Sequence, residues 1–319
     1  MIGDRPICGI LLMLGFCIVA PMADAVAKIL GQSVPLGQLI FIRFAVQVVL
    51  LLPFIALTGR PWRIRGRVLW LVILRTFMHI FGIGLMIAAL QYLPLADAVA
   101  ISFVMPFILL VLGKRMLGEE VGTRRILASL IGFAGTLLIV QPSFTAVGWA
   151  ALLPLGVALN FAFFILVTRQ IAKETDPFGL QTTSGLMAMV ILAPFLLIGL
   201  PNPLGLFDII FPNSTEWALL LAIGTLGTLA HLLMTMSLRH APAATLAPLQ
   251  YIEIPMAALL GWMVFADWPG TMAMSGILIT MAAGLYIVLT EGRAEEQPSA
   301  PAPDRAEPSA PRQNMQPAE

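Results

Sequence analysis

The sequence predicts an all-α membrane protein of ten transmembrane helices, arranged as two inverted five-helix repeats. Three observations predict this class: an apolar composition, apolar runs of membrane-spanning length, and an internal repeat at a spacing of 148 residues. Of the 319 residues, 59% are hydrophobic and 11% charged, with a mean hydropathy of +0.93. A soluble domain carries about 25% charged residues, so lipid must solvate much of this chain. The net charge of +1 argues against a nucleic-acid partner. Cys8 and Cys17 share one apolar stretch without a CxxC pattern. They suggest neither a disulfide framework nor a zinc site, and they read as packing residues.

About 20 apolar residues are needed to span the hydrocarbon core. Runs of that length fall at roughly 7–30, 36–58, 68–90, 95–117, 124–141, 147–168, 180–200, 215–237, 243–265 and 271–290. Lipid offers no partner to an unpaired backbone group, so these runs are expected to be helices. The alternating pattern of a barrel strand is absent. The first run follows only Asp4 and Arg5 and is about twice the length of a signal-peptide core. It reads as a first span, not a cleaved leader. From residue 291 the chain turns rich in Pro, Ala and charge, the composition of a disordered tail.

Lys and Arg placement orients the spans. Arg60, Arg63, Arg65 and Arg67 follow span two, and Lys114, Arg115, Arg124 and Arg125 surround the gap after span four. Arg169 and Lys173 follow span six, Arg239 follows span eight and Arg293 follows span ten. The alternate gaps hold neither residue type, apart from Lys28 at the end of span one. This bias puts both termini in the cytoplasm and requires an even number of spans. Trp149, Trp217 and Trp268 are then expected at the outer interface, and Trp62 and Trp70 at the inner one.

A shift of 148 residues lays Pro94 on Pro242, Gly113 on Gly261, Glu119 on Asp267 and Gly122 on Gly270. Five spans per repeat is an odd number, so the second repeat must be inverted. The division is 1–141 for the first repeat, 142–290 for the second and 291–319 for a cytoplasmic tail. Inverted repeats are the architecture of many secondary transporters, with a solute site near the midplane between the halves.

The segments IFIRF at 40–44, MPFILLVLGKRMLGEE, LIGFAGTLLIV and APLQYIEIPMAALLGWMVFADWP carry a family resemblance. The chain resembles EamA-type transporters of the drug/metabolite transporter superfamily over about residues 7–290. Asp267 stands where that family usually has Glu. APLQYIEI and FADWPG are similar to bacterial riboflavin importers and S-adenosylmethionine importers, and ADAVAK with IRF is similar to the latter. The resemblance implies a multi-pass protein of the plasma membrane, the inner membrane in a bacterium. It implies that a small polar solute crosses by alternating access, with import of a vitamin or other heterocycle such as riboflavin as the leading expectation. S-adenosylmethionine import and export of amino acids or drugs are the alternatives within the superfamily. A receptor or scaffold is the reading outside transport.

Ionisable groups inside a bilayer cost several kcal/mol unless paired or wet, so each is a candidate. Glu253 lies near the middle of span nine, with Tyr251 and Gln250 close by. It could bind solute or carry a coupling proton, or it could bond a neighbouring helix. Asp24 and Lys28 are four apart on one face of span one, at a depth similar to Arg43. An ion-pair cluster of these three is expected, either as an outer gate or anion site or as a structural tie. Arg75 is expected to snorkel to the cytoplasmic surface. His79 and His231 are proton-relay candidates or packing residues. Asn160, Gln38, Gln47, Gln181, Thr182, Thr183 and Ser184 could bind a polar solute or join helices. Tyr251, Trp262 and Phe103 could stack on a flat ring or simply pack.

The expected partners are a small-molecule substrate and membrane lipid, with monomer and homodimer both open. No cofactor or metal is expected. No G-x-x-x-x-G-K-[ST] loop occurs, and no HExxH or nucleophile–base set points to an enzyme.

Overall fold

A computed structural model describes residues 6–105, 107–108, 112, 123–198, 205–240, 246 and 249–295. The described residues are helical, with no strand among them. They comprise α1 (Pro6–Leu30), α2 (Leu36–Thr58), α3 (Gly66–Leu90), α4 (Leu95–Ser102) and α5 (Thr123–Val147). A 3-10 turn at Gly148–Leu152 leads to α6 (Leu153–Ile171), α7 (Pro177–Ile198), α8 (Ser214–His240), α9 (Glu253–Phe265) and α10 (Thr271–Glu295).

Among the described residues, six stretches are long and apolar enough to cross a bilayer: Ile7–Leu30, Leu36–Thr58, Gly66–Leu90, Leu130–Ile171, Pro177–Ile198 and Ser214–His240. The fourth is 42 residues long and contains the 3-10 turn, so it holds the length of two spans. Glu253–Phe265 and Thr271–Ala283 are shorter apolar helices. These stretches make the chain a multi-pass membrane protein.

Two of the expected spans are broken helices. The run at 95–117 stops at Ser102 and turns at Phe103 and Val104 before helix resumes at Met105. The run at 243–265 is helical at Leu249 and Gln250, turns at Tyr251 and Ile252, and restarts as α9 at Glu253. Proline chemistry accounts for both breaks. Pro106 and Pro255 lack the N–H that would bond the carbonyl four residues back, at Ser102 and Tyr251. Three-residue bonds fill in instead, from Val104 N–H to Ile101 O at 3.2 Å and from Ile254 N–H to Tyr251 O at 3.3 Å. The last helix also runs on through residues 291–295, which composition assigned to the tail. Residues 296–319, Lys114, Arg115, Pro106 and most of 109–122 lie outside the described residues.

The helices pair across the two halves. α1 packs along α8 and α6 along α3; α1 also meets α9 and α6 meets α4; α2 meets α8 and α3 meets α7. α2 with α7, α4 with α9 and α5 with α10 complete the main pairings. Exchanging each helix for the one five places along maps this set onto itself. Close approach of α5 and α10 requires glycine: a Cβ on Gly135 would stand 2.7 Å from Thr280 Oγ1 and 3.0 Å from Gly276 O. Trp149, Trp217 and Trp268 are exposed near the end where α1 terminates, and Trp62 and Trp70 near the opposite end.

Buried amides join the helices. The Gln38 side chain donates to Ile210 O at 2.8 Å and accepts from Ile210 N–H at 2.9 Å, holding the 205–213 loop against α2. Gln47 donates to Gln181 O at 2.7 Å, and Gln181 donates to His231 O and Thr235 Oγ1, each at 3.2 Å. These residues act as ties between helices, each bond worth about 1 kcal/mol.

Candidate functional site

The bundle encloses a cavity of about 160 Å³ lined from both halves. Most of its wall is apolar. Phe16 and Ala20 come from α1, Met78 and Ile83 from α3, and Phe161 and Phe164 from α6. Asp24, Arg43, His79, Asn160, His231, Gln250 and Glu253 supply the polar part. Both helix breaks open onto it, through Ser102, Phe103 and Met105 on one side and Gln250 and Glu253 on the other. Broken helices at a midplane site free backbone groups to face a solute.

Glu253 sits in the first turn of α9, where the positive end of the helix dipole favours a carboxylate. It is partly buried and faces the cavity. Asp24 and Arg43 line the same cavity, and among the described residues no hydrogen bond or ion pair joins Arg43 to either carboxylate. Arg43 is 7% exposed, and its Nη1 has no hydrogen-bond partner among the described residues. Gly227 on α8 makes room for it, because a Cβ there would meet the guanidinium at 2.5 Å.

His79 and His231 form a pair across the halves, Nε2 to Nε2 at 2.9 Å. At that distance one ring donates and the other accepts, so the two hold complementary tautomers. The sequence shows two isolated histidines; their side chains reach each other from α3 and α8, helices that both pack against α2 and α7. Phe44 lies edge-on to His79 with centroids 5.1 Å apart, and Phe164 is tilted at 5.2 Å. Asn160 lines the cavity and donates to Met78 O at 2.9 Å.

Several expectations are corrected. Lys28 does not join Asp24 and Arg43. Its Nζ bonds Asp267 Oδ2 at 2.9 Å and stands 4.5 Å from the Phe265 ring centroid. Lys28 is at the end of α1, where Asp267 and Phe265 offer charge and ring together, whereas Asp24 lies one turn deeper and faces the cavity. Arg75 does not reach the surface. It is fully buried, donating to Thr168 Oγ1 at 3.0 Å and Ser184 Oγ at 3.2 Å, with its guanidinium 4.5 Å from the Phe164 ring centroid. Hydroxyls on α6 and α7 and the ring face replace water there. Tyr251 does not line the cavity; it is 5% exposed and packs on Phe103. Trp262 is 55% exposed on the outside of the bundle, against Trp268. Cys17 does more than pack, since its Sγ donates to Leu249 O at 3.3 Å beside the second helix break.

Sequence reasoning passed over Asp97 and Asp176. Asp97 is buried near the start of α4. Asp176 caps α7, accepting from the N–H groups of Phe178 at 3.1 Å and Gly179 at 3.0 Å. It also pairs with Arg60 at 2.9 Å. The signal for Asp176 was its place just ahead of a proline and an apolar run.

The chain is 28% identical over 288 residues to a riboflavin transporter of Vibrio cholerae, covering 88% of this chain and 93% of that one. A riboflavin transporter of Rhizobium johnstonii is 30% identical over 248 residues, 78% of this chain and 79% of that one. An S-adenosylmethionine uptake transporter of Rickettsia prowazekii is 25% identical over 289 residues, 90% and 94% of the two chains. A solved structure superposes with a TM-score of 0.63 at 16% identity, covering 91% of this chain and 99% of that one, a likeness of fold. The model of the EamA-like transporter family matches twice, at residues 7–141 and 148–290, and the chain belongs to that family.

Proposed function

We propose that this protein imports a small heterocyclic metabolite of the riboflavin kind across the plasma membrane by alternating access. It does so as ten spans in two inverted repeats, divided at 141/142, with both termini cytoplasmic. The observation that carries this reading is the cavity between the halves, lined by two broken helices and by Glu253, Arg43 and Asp24. The exchange symmetry of the helix pairings supports the inverted repeat. Riboflavin as the solute draws on the names of two relatives and on the ring-bearing cavity wall of Phe16, Phe103, Phe161 and Phe164. In this reading Glu253 binds the solute or a coupling proton, Arg43 and Gln250 bind polar groups of the solute, and Asn160 and His79 shape the wall.

Alternating access also needs a closure at each end, and two ion pairs support it. Lys28–Asp267 and Arg60–Asp176 lie at opposite ends of the bundle, and each joins a cation of the first half to an aspartate of the second. Each cation also stands over a phenylalanine two residues from that aspartate: Lys28 over Phe265 at 4.5 Å and Arg60 over Phe178 at 4.8 Å. In each pair one partner is about 40% exposed and the other nearly buried, so water can take over the exposed partner when the pair opens. The Lys28 end is the outer one in this orientation.

S-adenosylmethionine uptake is the second reading. Two carboxylates, Asp24 and Glu253, face the cavity against one lining arginine, Arg43, an excess that favours a solute with a cationic centre. Uptake of radiolabelled riboflavin, S-adenosylmethionine and amino acids into cells expressing the protein tests the proposal. Saturable riboflavin uptake supports it, and uptake of another solute alone overturns the riboflavin reading.

A further inference from the structure

The end of the bundle where α1 terminates holds one lysine among two aspartates. Lys28 is paired with Asp267, whose side chain is 40% exposed. Asp97, on α4, is 8% exposed. Ser143 Oγ shares its one proton between Asp97 Oδ2 at 3.2 Å and Ile139 O at 3.1 Å, while Asp97 Oδ1 is buried without a hydrogen-bond partner among the described residues. Asp97 is on α4, which meets both α1, the helix of Lys28, and α9, which ends just before Asp267. The backbone keeps these groups together. Asp267 N–H donates to Gly261 O at 3.1 Å, and a Cβ on Gly261 would lie 3.8 Å from Leu95 Cβ, at the start of α4.

The arrangement pairs Lys28 with the wetter carboxylate and leaves an oxygen of the drier one unmatched. Water can solvate Asp267 in the absence of Lys28, whereas a buried polar atom without a partner is costly. The Phe265 ring beneath Lys28 and the contact of α1 with α9 offset that imbalance. Both of those contacts cross between the halves. Asp97 and Lys28 belong to the same half, so they stay together when the halves part.

We propose that Asp97 is the alternate partner of Lys28, making the ion pair at this end a two-position switch. Lys28 holds Asp267 while the halves are together, and it moves to Asp97 when α9 swings away from α1. Asp97 is a positioning residue that touches no solute. The inference rests on the alternating-access reading and adds a part to it: opening this end exchanges one ion pair for another instead of breaking one outright.

The test uses the full chain carrying C8S, C17S and A23C, which puts one thiol in the cavity wall. A membrane-impermeant maleimide is applied to whole cells and to inside-out vesicles, so that the end being labelled is read directly. D267N is expected to speed labelling from the Lys28 end, and D97N to slow it, each by about two- to five-fold, the range of one partly exposed ion pair. D97E is expected to restore the parental rate. S143A, which leaves Asp97 more dependent on Lys28, is expected to speed labelling. A D97N protein labelled as fast as the parent or faster overturns the switch. If D97N does not reach the membrane, an unchanged rate in S143A overturns it. Riboflavin uptake by the same cells separates the two readings. The labelling pattern without uptake upholds the switch and removes the riboflavin reading. Uptake with parental labelling of D97N does the reverse.

Discussion

Phe103 and Tyr251 occupy equivalent positions in the two repeats and touch in the fold, their ring centroids 5.3 Å apart. Each sits in the turn that interrupts its helix. The same 148-residue spacing separates Gly132 from Thr280, whose Oγ1 donates to Gly132 O at 3.3 Å. In the proposed inverted-repeat arrangement equivalent residues meet on the pseudo-two-fold axis, and these two contacts are the ones expected to lie along it.

The Phe103–Tyr251 contact is expected to carry stability. Tyr251→Ala removes a buried ring and should cost about 3–5 kcal/mol, read as a fall in thermal unfolding midpoint in detergent. Tyr251→Phe removes only a hydroxyl that has no hydrogen-bond partner among the described residues. It should be neutral or stabilising by up to about 1 kcal/mol.

Gly227 is expected to act through Arg43. A methyl at this position would collide with the guanidinium, so Gly227→Ala should reduce uptake about ten-fold, equal to about 1.4 kcal/mol. Arg43→Lys should give a similar loss, because lysine lacks the planar fork. Expression and unfolding temperature should stay near wild type in both, and uptake kinetics on purified protein in liposomes measure the effect.

The histidine pair is expected to behave as one unit. His79→Gln and His231→Gln should each destabilise the protein, and the double substitution should cost less than their sum. A double-mutant cycle in denaturation should give a coupling of about 1 kcal/mol, the scale of one hydrogen bond.

The proposed alternating access opens each end in turn. Paired cysteines at positions 28 and 267, or at 60 and 176, are expected to arrest uptake when oxidised and to release it on reduction. Uptake that continues in full through either cross-linked form would remove that ion pair as a gate.

The sequence made the membrane class, the helix positions and the repeat legible, because bilayer thickness and backbone satisfaction leave few choices. Its picture of the site was partial. Glu253, Asp24, Arg43, Gln250, His79 and Asn160 were found because a polar group in an apolar run stands out, and all six line the cavity. Lys28 and Arg75 were misread because their partners, Asp267 and the Thr168 and Ser184 hydroxyls, lie far along the chain, while Tyr251 takes the packing role, one of the two left open for it, against Phe103. The pairing of His79 with His231 depends on two side chains reaching each other from helices far apart in the chain, which no local pattern encodes. The breaks at Phe103 and Tyr251 were signalled by Pro106 and Pro255, but a proline in a membrane helix also fits a simple kink.

The most direct test of the account is riboflavin uptake by proteoliposomes holding wild-type protein or Glu253→Gln, measured from about pH 5 to 8. The account predicts saturable uptake by the wild type and its loss in Glu253→Gln at every pH, with both proteins equally folded. Uptake by Glu253→Gln that matches wild type across that range would contradict it.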